Sequence, residues 1–146
     1  MLCLEAVDFG KPRRKSFENH IDAGHRGESL ALDYLLRLGF RLRHRNFRFR
    51  RGELDLVMEA PDGDLVFVEV KSSRQDTAGD PAGWVTAKKQ RQIQKVARDS
   101  CVLHGELDRS MRFDVVTVEL TPGFSGHAEV RHIPNAFLPD MGGYYR

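Results

Sequence analysis

Three charged side chains interrupt the most apolar part of the chain. Residues 52–73 read GELDLVMEAPDGDLVFVEVKSS, which is two apolar runs around a turn. Asp55 lies in the first run, and Glu69 and Lys71 lie in the second. Charges are costly to bury in such runs unless they are paired or bind a metal ion. We therefore take Asp55, Glu69 and Lys71 as candidate functional residues.

The turn between the two runs decides which of these charges meet. A three-residue loop at 61–63 would combine a type I turn with Gly63 in the left-handed region, and it would place Asp55 opposite Glu69. Facing residues of an antiparallel pair point to the same side of the sheet. A two-residue turn at Asp62 and Gly63 would instead send Asp55 to the other side. The residue types favour the three-residue loop.

Facing carboxylates at positions 55 and 69 would repel each other, and a divalent cation between them removes the conflict. Hard oxygen ligands of this kind suit Mg²⁺ or Mn²⁺. The alternative is an ordinary exposed ion pair between Glu69 and Lys71 at the end of a strand. For an isolated Glu-Val-Lys triplet that alternative is the commoner case. The register with Asp55 favours the metal site.

A fourth candidate, Glu28, lies on the first predicted helix. The helix is expected from about Ala23 to Leu38, with Asp22 as a candidate N-cap and Gly39 as its end. Apolar spacing predicts that Glu28 occupies the N-terminal end of the buried face. The residues of this stripe are Glu28, Ala31, Leu35 and Leu38.

A strongly cationic segment follows that helix. Residues 37–51 contain seven Arg, one His and no acidic residue, although the whole chain has a net charge of only +2. Arginine forks suit phosphate, so the segment favours a nucleic-acid partner. A solvated strand face and an acidic protein partner are the alternatives. The candidate contacts here are Arg41, Arg43, Arg45, Arg48, Arg50 and Arg51.

Three further cations, Lys88, Lys89 and Arg91, open the second predicted helix. Cations at a helix N-terminus oppose the helix dipole, so phosphate contact explains them better than helix stability does. Ordinary surface residues are the equally weighted alternative.

The remaining elements complete an α-β-β-β-α-β order, which predicts an α/β fold with a mixed sheet covered by helices. The Arg-rich segment should form one or two strands with a break near 44–46. Further strands are expected at about 54–59, 65–71, 111–120 and 128–133. The second helix should start after Thr86 and end at Gly105, with an inner stripe of Ile93, Val96, Ala97 and Ser100.

Length and composition restrict the class of protein. A chain of 146 residues with 40% apolar and 30% charged content fits one soluble domain. No apolar run is long enough for a membrane span, and the N-terminus does not resemble a secretory signal. Cys3 and Cys101 are too few for a disulfide framework, which favours a reducing cytoplasm. We expect residues 1–20 to be a loosely ordered leader and 21–146 to be the single domain.

The sequence resembles the uncharacterised bacterial YraN-like family. The resemblance covers about residues 24–137 and rests on a Glu in the first helix, Gly-Glu-any-Asp at 52–55 and Glu-Val-Lys at 69–71. That family is assigned to the restriction-endonuclease-like nucleases, with archaeal Holliday junction resolvases as its nearest characterised relatives. The acid-any-Lys pattern of these nucleases often has Pro before its Asp, whereas Leu54 stands here.

Carried onto this chain, the resemblance implies that Asp55 and Glu69 ligate Mg²⁺ or Mn²⁺. Glu28 would hold the metal through water or serve a second ion, and Lys71 would orient the attacking water or stabilise charge on the phosphate. The implied function is a metal-dependent endonuclease acting on DNA rather than RNA, with branched DNA as a candidate substrate and a homodimer as one assembly. A nucleic-acid-binding module without catalytic activity is the alternative.

Overall fold

The computed structural model describes residues 3–8, 20–50, 52–73, 85–120 and 127–139. It contains six strands and two long helices in these ranges. In chain order they are β1 (Cys3–Asp8), α1 (His20–Arg37), β2 (Arg41–Phe49), β3 (Gly52–Glu59), β4 (Leu65–Ser73), α2 (Ala87–His104), β5 (Met111–Leu120) and β6 (His127–Phe137).

All six strands form one mixed sheet in the order β1-β6-β5-β4-β3-β2. Only β4 and β5 run parallel, and the connection between them contains α2. Successive side chains of β4 point to opposite faces, so Val66 packs in the cluster with α1 and Phe67 in the cluster with α2. The predicted α/β class and element order are confirmed. Among the described helices, none has the length and apolarity that a membrane span requires.

The predicted hairpin register is confirmed. Ala60 N–H donates to the Asp64 carbonyl, and Gly63 N–H donates to the Ala60 carbonyl, both at 2.9 Å. Gly63 has φ +92°, the left-handed conformation that a side chain would strain. β3 therefore pairs with β4 in the register set by a three-residue loop, for example Leu56 with Val68.

The second helix also matches its prediction. The Thr86 side chain accepts a hydrogen bond from the Lys89 amide, and Gly105 caps the C-terminus with φ +66°. The buried residues include the whole expected stripe, with Cys101 added: Ile93, Val96, Ala97, Ser100 and Cys101. The break in β2 is confirmed too, because its pairing with β3 shifts between Leu42 and His44.

Two details of the first helix were predicted wrongly. α1 begins at His20, so Asp22 lies inside the helix rather than at its N-cap. Leu38 is 41% exposed, because the chain has already left the helix and turns at Gly39 (φ +89°). The apolar face of α1 is completed instead by Leu30 and Tyr34.

The N-terminal segment is the third correction. Residues 3–8 belong to the expected loose leader, yet they form β1 and pair antiparallel with β6 at the edge of the sheet. A six-residue edge strand is specified mainly by a partner that is distant in sequence, and its own residues show no clear period. The rest of the expected leader up to residue 19 lies outside the described residues.

Candidate active site at the end of the central hairpin

Asp55 and Glu69 come together where the β3–β4 ladder ends. The last paired residues are Leu56 and Val68, and Asp55 and Glu69 are next along their strands. Asp55 Oδ2 accepts a hydrogen bond from the backbone N–H of Val70 at 2.8 Å. This bond replaces a regular ladder contact and fixes the Asp55 carboxylate beside β4.

Burial and crowding perturb both carboxyl groups. Burial, and then the charge of Asp55, raise the pKa of Glu69 to about 7. Burial raises the pKa of Asp55 as well, although the Val70 N–H opposes the shift. A hydrogen bond between the two carboxyls favours protonated Glu69 with ionised Asp55. The pair thus holds one proton more firmly than two isolated carboxylates would.

Two lysines flank the buried carboxyl of Glu69. Lys71 Nζ lies 3.7 Å and Lys89 Nζ 3.6 Å from Glu69 Oε1. The Glu69 side chain is 7% exposed, whereas the lysines are 40% and 34% exposed and reach solvent. The sequence suggested Lys89 only as a phosphate contact, and its place beside Glu69 was missed. The available signal was its unfavourable position in the first turn of α2.

Glu28 approaches Asp55 from α1. A Cβ at the neighbouring Gly27 would lie 1.7 Å from Ser72 Oγ, so glycine is what lets α1 pack this closely against β4. The Oε2 atom of Glu28 is buried and accepts no hydrogen bond from any described residue. Burial, followed by the charge of Asp55, raises the pKa of Glu28, while Arg45 opposes the shift.

The strands change phase beside Asp55. Leu54 packs in the α2 cluster and Leu56 in the α1 cluster, although residues two apart in a regular strand share a face. The facing strand has Asn46 at φ +52° between the pairs of Arg45 with Leu56 and Phe47 with Leu54. Asp55 therefore lies at an irregular point from which it interacts with Glu28 on one helix and Lys89 on the other.

The donor set suits a hydrated divalent ion better than a fully enclosed one. No group of three or more His, Cys, Asp or Glu among the described residues is arranged so that it could itself hold a metal ion. Mg²⁺ usually takes one or two carboxylates and keeps several waters. Asp55 and Glu69 supply such a pair, and the unbonded Oε2 of Glu28 supplies an acceptor for a metal-bound water.

The Arg-rich strand does not present one continuous cationic face. Arg41 and Arg43 both bind Glu59, and Arg43 also donates to Glu106 Oε1 at 2.6 Å. Arg109 joins the same network through Glu59. Arg41 and Arg43 of β2 are therefore already paired with acidic side chains near the β3–β4 turn, here called the hairpin end.

The other predicted phosphate contacts lie outside this network. Arg45 donates to Ser29 Oγ at 2.9 Å and lies 3.9 Å from Glu28 Oε2. Arg48 makes one exposed ion pair with Glu53, at 3.4 Å. Arg50, Lys88 and Arg91 are exposed, whereas Arg51 lies outside the described residues.

Comparison with known proteins agrees with the sequence motifs. The model of the uncharacterised protein family UPF0102 matches residues 27–118. The UPF0102 protein of Geobacter metallireducens is 46% identical over 116 residues, covering 78% of this chain and 90% of that protein. The one of Pelobacter propionicus is 44% identical over 117 residues, covering 80% and 82%.

A solved structure of Pyrococcus furiosus SfsA in complex with Ca²⁺ is similar over 84% of this chain and 72% of that chain, with a TM-score of 0.38 and 17% identity. This likeness is too distant to assign any residue of the site. The family match is much stronger, and it includes Glu28, Asp55, Glu69 and Lys71. The chain belongs to the uncharacterised protein family UPF0102, the YraN-like family that its motifs resemble.

Proposed function

We propose that this protein is a metal-dependent endonuclease that hydrolyses phosphodiesters of DNA. One observation carries the proposal: the buried carboxyl of Glu69 meets the half-buried carboxyl of Asp55 beside two accessible ammonium groups, and burial raises the pKa of Glu69 to about 7. Apolar residues would stabilise these strands better than crowded acids do. Perturbed carboxyls of this kind cluster at functional sites.

Each side chain of the site has a proposed role that depends on its charge and exposure. Asp55 and Glu69 would hold Mg²⁺ or Mn²⁺, with Glu28 accepting a hydrogen bond from a bound water. When bound, the ion would polarise the scissile phosphate and lower the pKa of a water. Lys71, more exposed than Glu69, would orient the attacking water or neutralise charge on the phosphate. Lys89 would keep Glu69 ionised in the ligand-holding state.

The proposal extends to the DNA substrate and to the assembly. Arg45 beside Glu28 and the exposed Arg48 and Arg50 supply cations for a phosphate backbone. Branched DNA is the proposed substrate, cut by a homodimer with one site for each half of the junction. Cys101, free and buried, fits the reducing cytoplasm in which we place the protein.

A second function has one observation in its favour. Lys71 and Lys89 already offset the charge of Glu69, so the cluster can exist without a cation. The protein would then be a nucleic-acid-binding module with no catalytic step.

A cleavage assay separates the two. Four-way, duplex and single-stranded DNA are incubated with Mg²⁺ or Mn²⁺, and binding is measured separately in EDTA. We expect the wild type to cut four-way DNA and Asp55→Asn to be inactive. Lys71→Ala should be slower by roughly 100-fold or more, while binding in EDTA changes little.

Asp33→Asn is the matched control, because Asp33 is exposed on α1 and should leave cleavage unchanged. Thermal melts of each variant exclude unfolding as the cause of lost activity. Binding by the wild type without cleavage of any substrate would favour the binding module and overturn the endonuclease.

A further inference from the structure

A groove lies between the end of β2, the start of β3 and the middle of α2. It has a volume of about 410 Å³. Its lining combines one aromatic ring, two cations, one carboxylate and one amide: Phe49, Arg50, Gly52, Gln92, Lys95, Val96 and Asp99. A site for inorganic phosphate alone would gain nothing from the ring, so the lining suits a ligand with both an anionic and a flat part.

Close packing of the start of β3 on α2 forms one wall of this groove. A Cβ at Gly52 would lie 2.0 Å from Val96 Cγ2, so any larger residue would push the start of β3 away from the helix. Arg50 has φ +53°, a conformation that residues with side chains seldom adopt. The first residue of β3 is thus held close to α2 by the approach of Gly52 to Val96.

The Arg50 side chain covers the face of the ring. Its Cζ atom lies 5.5 Å from the centroid of Phe49, which is a cation–π contact. At an exposed site such a contact is weaker than the stacking of a nucleobase on an aromatic ring. A base can therefore replace the guanidinium on Phe49 and leave Arg50 free to bind a phosphate.

The groove continues the candidate active site along α2. Lys89, which contacts Glu69, lies three residues before Gln92 and six before Lys95. At 1.5 Å per residue the groove starts about 5 Å from Lys89 along the helix. A DNA strand with one phosphate at the carboxylates of Asp55 and Glu69 would bring an adjacent nucleotide to the groove.

We propose that this groove binds one unpaired nucleotide of the bound DNA strand, with its base on Phe49 and its phosphate on Arg50 and Lys95. The proposal rests on the proposed function and assigns it a preference for unpaired DNA. The flat base would stack on the aromatic ring, and the phosphate would pair with the two cations.

Binding of two strands of equal length separates base from phosphate. One is an oligothymidylate, and the other is an abasic strand with the same sugar-phosphate backbone. Fluorescence anisotropy in EDTA measures both affinities. The wild type should bind the oligothymidylate about tenfold more tightly, since one stacked base contributes an effect of that order. Phe49→Leu should make the two affinities equal by weakening only the binding of the oligothymidylate. Phe49→Trp should still bind the oligothymidylate more tightly than the abasic strand.

The cations provide the second half of the test. Arg50→Ala combined with Lys95→Ala should weaken the binding of both DNA strands. Arg37→Ala, in the last turn of α1, should leave both affinities unchanged. Photocrosslinking of wild type to a strand with 5-iododeoxyuridine should label the peptide that contains Phe49.

The contrary outcomes are distinct. An unchanged preference in Phe49→Leu, or labelling confined to other peptides, overturns the groove while leaving the endonuclease intact. A wild type that binds neither strand overturns both proposals.

Discussion

At the scale of single residues, the chemistry of the site is the sharing of one proton between Asp55 and Glu69. The Val70 N–H donates to Asp55 and favours its ionised form, whereas burial raises the pKa of Glu69 to about 7. A carboxyl whose pKa is raised by folding binds a proton more tightly in the native state. The native state is then destabilised as the pH rises above the ordinary pKa.

Glu69→Gln should remove this destabilisation in metal-free protein. Below the ordinary pKa of 4.5 the charge plays no part, and between 4.5 and about 7 the variant should gain stability relative to wild type. Above pH 7 the gain should level off at about 3 kcal/mol. Urea unfolding in EDTA across this pH range measures the difference.

Added Mg²⁺ is the control for that measurement. It should stabilise the wild type more than Glu69→Gln, because it binds the ionised pair in the native state. A stability difference that is the same at pH 4 and pH 8 would contradict the buried, proton-binding Glu69.

At the scale of elements, the site depends on how closely α1 lies against the end of β4. Gly27 leaves no room for a side chain, since a Cβ there would lie 1.7 Å from Ser72 Oγ and 2.9 Å from Ser72 Cβ. The contact holds the helix turn that carries Glu28. A change at Gly27 therefore acts on the site through the position of α1 rather than through any reacting group.

Gly27→Ala should destabilise the wild type by about 1–3 kcal/mol, through overpacking that exceeds the gain in helix propensity. In a Ser72→Gly background the clash is absent. The same change should then stabilise the protein by up to about 1 kcal/mol, because alanine favours a helix over glycine. Chemical denaturation of the four proteins gives this double-mutant cycle. Equal effects of Gly27→Ala in the two backgrounds would show that the two residues do not contact each other.

At the scale of the whole molecule, the arginines at the two ends of β2 make different contacts. Arg41 and Arg43 stabilise the hairpin end through Glu59 and Glu106. The hydrogen bonds from Arg41 and Arg109 lower the pKa of Glu59. The far end of β2 carries Arg48 and the turn residue Arg50, both exposed.

Two double substitutions on the same strand test this division. Arg48→Ala with Arg50→Ala should weaken DNA binding and reduce the slope of log affinity against log salt by about 2, one unit for each lost phosphate contact. Arg41→Ala with Arg43→Ala should keep the slope and lower the melting temperature instead. Binding titrations between about 50 and 200 mM salt measure the slope of each variant, and thermal melts measure its melting temperature. A loss of slope in the second variant would place the DNA on the hairpin end.

The features that the sequence predicted correctly are those with local causes. Gly63 after Pro61 and Asp62 determines the hairpin, and the hairpin brings Asp55 to Glu69. Thr86 and Gly105 define α2 within a residue, because caps satisfy backbone groups of the same helix.

The features it missed depend on distant partners. β1 needs β6 to become a strand, and the Arg-rich segment looked uniform because Glu59 and Glu106 are far away in sequence. Lys89 looked like a surface cation because only the packing of α2 on the sheet brings it to Glu69.

The position of β4 in the sheet has a consequence during translation. β4 carries Glu69 and Lys71, and its parallel neighbour β5 is synthesised only after α2. Until Met111–Leu120 has left the ribosome, the edge of β4 that pairs with β5 is open. The nascent chain thus lacks the buried environment that perturbs Glu69. We therefore expect the site to take its final form only after β5 has been synthesised.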